Sequence, residues 1–420
     1  MSWSRHGLLG HPLTLVLLSL LATVEATAIF GLCQQRTDQW DFSHYYVSSV
    51  AARMGIDPYT SDLTPLAGRL GMKIEEINHA TNPPSFVLAF ELLTLLSPTA
   101  AYWVWFLMNL GALAFSLFLL LRDFPRDKPM EVWSLIALSI IYPPVANHFV
   151  FAQAQIFIML MLLLMMGALR RGNDFVAGFM LAAASLLRIY PIILTGYLAV
   201  TNRRRALIYT IVFGILGLLL TASHLGIGRT LGFIKLLAFL TGPHWLGVPA
   251  NVSLDAFISR MFWLAGSATA GLELARKIAV VSASMLLLLA TVCISVAAGK
   301  NDDTEWKFSL WVAAMVLLSP TAWPHYLIFL LIPFSHLVIG SRKKLVSPKT
   351  ARLGFISAAS VFAGFYITAA THARHPDFSA VIVQLLACSS ALAYIAMYSF
   401  GSDIAVDWPL QSYRVSAVCK

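Results

Sequence analysis

The stretch Thr37-Asp38-Gln39-Trp40-Asp41-Phe42-Ser43-His44-Tyr45-Tyr46 sets two carboxylates three residues apart, with a phenol four residues after the second. On a helix, that spacing brings Asp38, Asp41 and Tyr45 to one face. A carboxylate so placed can take the proton of an attacking hydroxyl. A plainer role fits the same residues. Asp38 as N-cap, an acid three positions on and Gly55 at the far end describe a helix of about four turns, whose positive end both acids would oppose. Residue types alone leave both readings open. A second chemical group is Arg188, set within the apolar hairpin from Ala177 to Ala199. A guanidinium there is either a ligand for an anion or a side chain that snorkels or pairs with carbonyls. His325 follows Pro324, and Arg260 ends the amphipathic run Leu254-Asp255-Ala256-Phe257-Ile258-Ser259-Arg260, which also suits an interfacial anchor. Trp323, Trp245, Trp103 and Trp105 suit either a sugar platform or an interfacial aromatic belt. Asp57, before Pro58, reads as a turn residue.

The elements that must hold these groups are membrane helices. Of 420 residues, 58% are hydrophobic and 12% charged, at a mean hydropathy of +0.75. A water-soluble domain carries about a quarter of its residues as charges, so soluble classes are excluded. The four cysteines lie too far apart for a zinc site or a disulfide framework. Long apolar runs lie near 12–31, 100–121, 132–150, 153–169, 206–222, 276–298, 352–370 and 379–400, and shorter ones at 174–188, 190–201, 307–319 and 325–340. By the length criterion they give about twelve crossings in an all-α polytopic protein. The run from Pro84 to Leu96 is short for a crossing and reads as a half-embedded helix. The first run reads as a transmembrane helix and not as a secretory signal, because it is longer than a signal core.

Clusters of Lys and Arg set the orientation: Arg122, Arg126 and Lys128; Arg170 and Arg171; Arg203 to Arg205; Lys300 and Lys307; Arg342 to Lys344, Lys349 and Arg352. With these inside, both termini are cytoplasmic, and the loops 32–82, 224–275 and 371–378 face outward from a single membrane domain spanning 1–420. The net charge of +9 then describes orientation in a bilayer rather than affinity for nucleic acid. Six of the twenty carboxylates (Asp38, Asp41, Asp57, Asp62, Glu75 and Glu76) fall in the first outward loop.

A family resemblance joins these pieces. Asp41-Phe42-x-x-Tyr45-Tyr46, Gly55-x-Asp57-Pro58-Tyr59, Asn82-Pro83-Pro84, Gln153-Ala154-Gln155, Ala177-Gly178, Leu187-Arg188-Ile189-Tyr190-Pro191, Asn251-x-Ser253-Leu254 and Ser319-Pro320-Thr321-Ala322-Trp323-Pro324-His325-Tyr326 occur in this order. The series resembles the polyprenyl-phosphate-dependent membrane glycosyltransferases of glycosyltransferase family 87, which include mannosyl- and arabinofuranosyltransferases of envelope glycolipids. The resemblance implies a GT-C fold and transfer of a sugar, mannose being expected over arabinofuranose, to a glycolipid or glycan acceptor outside the cytoplasmic membrane. It makes Asp41 the general base. Arg188 stands where Lys is common in the family, which leaves its role less defined.

Inverting transfer from a polyprenyl monophosphate needs one base on the face opposite the leaving group. The leaving phosphate is already a stable anion, so the remaining need is for cations or hydrogen-bond donors around it. Arg188, His325 and Arg260 are the expected phosphate ligands, and Asp38, Tyr45, Asn82, Gln155 and Trp323 the expected substrate contacts. No cofactor is expected, since the resemblance points to a metal-independent enzyme even though the acidic loop would suit a divalent ion. The expected partners are the lipid-linked donor, the acceptor and membrane lipids, not nucleic acid. The rival class, a carrier or flippase for a lipid-linked precursor, would need broken helices with mid-membrane charges in both halves, and only Arg188 offers one.

Overall fold

The computed structural model describes residues 8–35, 40–74, 79–240, 245–246, 248, 250–264, 270–297, 304–371 and 389–401. Among these residues the chain is helical and loop, with no strand. A membrane interior demands this, because each segment must satisfy its own backbone polar groups. Six helices are long and apolar enough to cross: Pro12–Gln34, Pro98–Leu121, Arg204–Leu225, Gly271–Ala297, Pro324–Arg342 and Pro348–Ile367. The chain is thus a polytopic membrane protein. On the Pro12–Gln34 helix Leu13, Leu17, Leu20 and Leu21 are exposed, as are Ile208, Ile211, Ile215 and Leu219 on Arg204–Leu225. Such rows of aliphatic side chains suit hydrocarbon and not water.

Several of the expected crossings are interrupted or short. The run at 132–150 divides into Pro129–Ile140 and Pro143–Val150, bent by 47°. Pro143 and Pro144 supply no N–H to continue the first helix, and their rings clash with its preceding turn. The runs at 174–188 and 190–201 become Asp174–Leu187, then Arg188 in extended conformation (φ −147°, ψ 137°), then the tight turn Tyr190–Ile193 and the helix Leu194–Val200. Pro84–Leu95 and Gln155–Arg170 are also apolar but shorter than a crossing. Residues 379–388 of the run at 379–400 lie outside the described residues, and the rest is helical. The helix at Ala270–Ala297 starts inside the loop expected at 224–275, and that loop also holds the helices Ile227–Leu240 and Leu254–Leu264.

The first-loop helix runs over Trp40–Arg53 and stops before Gly55 as expected, while its expected N-cap, Asp38, lies outside the described residues. Gly55 takes φ +78°, Ile56 N–H bonds the Ala51 carbonyl and Gly55 N–H that of Ala52. This is the two-bond stop that glycine permits. The helix is no solvated loop element, because Phe42, Tyr45, Val47 and Ala51 are buried. Phe42 and Tyr45 meet Phe90 at centroid distances of 5.9 and 5.7 Å, and Tyr45 meets Phe86 at 4.8 Å. Asp57 is a turn residue as expected, its Oδ1 accepting from Tyr59 N–H at 2.9 Å.

The Asp174–Leu187 helix, which ends at Arg188, packs on Arg204–Leu225 and Gln155–Arg170. A Cβ added at Gly178 would lie 2.5 Å from Tyr209 Cβ, 2.7 Å from the Ala206 carbonyl oxygen and 2.8 Å from the Thr210 nitrogen. The helices meet backbone to backbone there, and no flexible side chain can yield. Gly178→Ala is therefore expected to destabilise the protein by about 1–3 kcal/mol, the usual cost of overpacking. A thermal melt in detergent checks this: an unchanged Tm would show that the helices separate at no cost.

Candidate active site

The Trp40–Arg53 helix, the Pro84–Phe90 helix, the turn before Gln155 and the break at Arg188 converge on one polar group, in which Tyr45 and Gln153 are buried and Asp41 and Arg188 half-buried. Asp41 and Tyr45 stand one turn apart on the same helical face, as their spacing predicts. Gln153 Nε2 donates to Asp41 Oδ2. Tyr45 donates its hydroxyl proton to Gln153 Oε1 at 2.9 Å and accepts from Arg188 Nη2 at 3.0 Å. A line of hydrogen bonds thus runs from guanidinium through phenol and amide to carboxylate. The Arg188 guanidinium carbon lies 5.9 Å from the Tyr45 ring centroid and 5.6 Å from that of Phe86.

Burial dominates the electrostatics of Asp41. It pushes the carboxyl from an ordinary 3.8 up to about 6, against the opposing pull of Arg188 and the Gln153 hydrogen bond. The acid is ionised at neutral pH yet basic enough to receive a proton. The Tyr45 hydroxyl is held well above its ordinary value by burial, so it remains a neutral donor. Arg188 keeps one unused donor, since its buried Nε–H has no protein partner. A half-buried guanidinium with a spare, buried N–H suits an oxyanion.

The other expected residues fall into three groups. His325, Gln155 and Asn82 are all buried, the first two beside groups that face Arg188 and Asp41. His325 Nδ1 pairs with Asn147 Oδ1 at 3.2 Å, and the ring lies within electrostatic reach of Arg188 and His148. Gln155 is fully buried beside the Tyr326 hydroxyl, and the Tyr326 ring packs on Tyr190 at 4.9 Å. Asn82 accepts the Tyr59 hydroxyl on its carbonyl at 3.0 Å, and its buried side-chain amide has no protein partner. It stands two residues before the Pro84–Phe90 helix, whose Ser85 hydroxyl donates to the Leu186 carbonyl, two residues before Arg188.

Arg260 and Trp323 belong to a second structure. Asn251 Oδ1 accepts from Ser253 N–H at 3.1 Å and from Ala322 N–H at 3.2 Å, and its amide donates to the Trp245 carbonyl at 3.2 Å. Ser253 Oγ donates to the Pro320 carbonyl at 3.1 Å and caps the Leu254–Leu264 helix at Ala256. The two matched strings around Asn251 and Ser319 therefore hold each other. Arg260 is buried, against the exposure an interfacial anchor requires, and donates to the Val248 carbonyl at 3.2 Å. Trp323 meets Trp245 edge to face at 6.0 Å. Asp38, Glu75 and Glu76 lie outside the described residues.

Sequence reasoning missed Gln153, Asn147 and the tyrosines Tyr190 and Tyr326 as members of the cluster. The signal available was polarity out of place: Gln153 and Gln155 open an otherwise apolar helix.

With this geometry in hand, comparison with known families returns a match. The model of glycosyltransferase family 87 matches residues 80–320, more than half of the chain, including Gln153, Arg188 and Asn251. Asp41 and Tyr45 precede the matched range. No curated protein matches the chain.

Proposed function

Because this chain belongs to glycosyltransferase family 87, we propose that it is an inverting transferase that moves a sugar, mannose foremost, from a polyprenyl-phosphate donor to a glycolipid or glycan acceptor on the outer face of the cytoplasmic membrane. Membership makes it a membrane glycosyltransferase; the donor, the acceptor and the roles of individual residues are the proposal. The observation that carries it is the linked group of Asp41, Gln153, Tyr45 and Arg188.

Asp41 takes the proton of the acceptor hydroxyl while its oxygen bonds to the anomeric carbon of the donor. The bond from that carbon to the phosphate oxygen breaks, and its electron pair leaves with the polyprenyl phosphate. Arg188, through its spare Nε–H, meets the growing charge on that phosphate. No general acid is needed, because the leaving group is an anion stable in water. The buried aromatic wall of Phe86, Phe90 and Trp105 limits water, which would otherwise compete as acceptor.

Reconstituted protein supplied with a panel of polyprenyl-phosphate sugars is expected to consume one of them in the presence of membrane glycolipid and to release polyprenyl phosphate. Turnover with nucleotide sugars alone, or movement of the lipid across the bilayer without bond cleavage, would overturn the reading.

A further inference from the structure

Gln153 occupies the centre of the hydrogen-bonded line and is itself only 3% exposed. Its amide has a fixed sense. An ionised carboxylate can only accept, so the Gln153 nitrogen must face Asp41. The amide oxygen then faces Tyr45 and claims its single proton, which leaves the phenol oxygen to accept from Arg188. Each donor in the line points from the cation toward the base. Turning the amide over would set its oxygen against the carboxylate and leave two donors facing each other at Tyr45.

The backbone around Gln153 is pinned for this task. Just past the Pro143–Val150 helix and its cap Phe151, Ala152 takes φ 52°, a conformation that ordinarily favours glycine. Gln153 N–H closes on the His148 carbonyl at 3.0 Å and Ala152 N–H on that of Phe149 at 3.0 Å. From the other side, Trp105 Nε1 donates to the Ala152 carbonyl at 2.8 Å. A left-handed residue held from two directions turns the chain so that the next side chain enters the site. Strained backbone of this kind persists where the surroundings over-determine it.

We propose that Gln153 is a positioning residue of the transfer site: bridging Asp41 and Tyr45, it aims the base and ties its orientation to Arg188 at the donor-phosphate end. The proposal rests on the reading of Asp41 as the base. Gln153 itself touches neither substrate nor the bond that breaks. The charged and titratable groups facing Asp41 are Arg188 from the broken helix, Tyr45 from its own helix and Tyr326 from the Pro324–Leu330 turn. Of these Arg188 supports the ionised form by charge, and the neutral Gln153 amide supports it by a donated hydrogen bond.

Gln153→Met keeps the bulk and removes both polar ends. The carboxyl C=O band of Asp41, isolated by infrared difference against Asp41→Asn in nanodiscs, is expected to titrate about one pH unit higher in this variant, the effect of losing one donor to a charged group. Its kcat is expected to fall about tenfold through misaim of the base, with the KM for donor unchanged. Gln153→Glu is isosteric and fills the same space, but it sets an acceptor against Asp41. Its titration should move upward further, and it carries the test if the Met variant folds poorly. A folded variant that titrates and turns over like wild type overturns the inference. The two failures are separable. If wild type transfers no sugar from any polyprenyl phosphate while the band still shifts, the function is wrong and the coupling stands. If wild type transfers but neither band nor kcat moves, the coupling is wrong.

Discussion

Asp41→Asn is expected to lower kcat for sugar transfer by about 10²–10⁴-fold, the range that a positioned base contributes, while donor binding and thermal stability survive. Asn has the shape of the protonated acid, and burial already favours that neutral form, so the substitution relieves an electrostatic cost and leaves the packing intact. The pH dependence follows from the same shift. The base works only when ionised, and its carboxyl titrates near about 6. Wild-type kcat/KM should therefore hold above that value and fall as pH drops through it. Residual turnover by Asp41→Asn should lack that acidic limb. Radiolabelled transfer in proteoliposomes across the pH range, beside thermal melts of both proteins, makes the comparison. Retained turnover in the variant would remove Asp41 from the chemistry and return it to the plainer role of helix capping.

The parts of this site that can be read from the sequence are those carried by local spacing. Asp41 and Tyr45 share a face because residues four apart on a helix do so, and Gly55 ends that helix because the stop needs a positive φ. Arg188 stands out because a charge within an apolar hairpin demands a partner. Other features depend on contacts between distant segments. Gln153 meets Asp41 across 112 positions and Tyr45 across 108, so no local pattern joins them. Arg260 sits on a helix with an amphipathic pattern, yet it is buried and donates to the Val248 carbonyl, a contact the pattern does not show. Hydropathy marks the apolar runs but not their breaks. The Pro143-Pro144 bend and the extended residue at Arg188 each divide a run, and the second break is what delivers the guanidinium to Tyr45. The strings at Asn251 and Ser319 were legible as a family likeness, and only the fold shows that each supplies the other's hydrogen bonds.

Arg188→Ala is expected to weaken binding of a polyprenyl-phosphate donor by about 10–10²-fold, the worth of one or two hydrogen bonds to a charged group. The guanidinium follows the C-terminal end of the Asp174–Leu187 helix, where the helix dipole favours a cation. It is further held over the Phe86 ring and by the Tyr45 hydroxyl. Its buried Nε–H has no other use in the protein, so a bound phosphate is the natural acceptor. Arg188→Lys should fall between the two, because an ammonium keeps the charge but loses the planar fork and the stacking on Phe86. Removing the cation also takes away a support for ionised Asp41, so the acidic limb of Arg188→Ala should begin at higher pH than in wild type. Titration of purified protein with a polyprenyl phosphate, followed by tryptophan fluorescence, separates the two residues. Asp41→Asn should bind like wild type and fail to turn over, whereas Arg188→Ala should bind poorly. Equal donor affinity in Arg188→Ala and wild type would place the phosphate elsewhere.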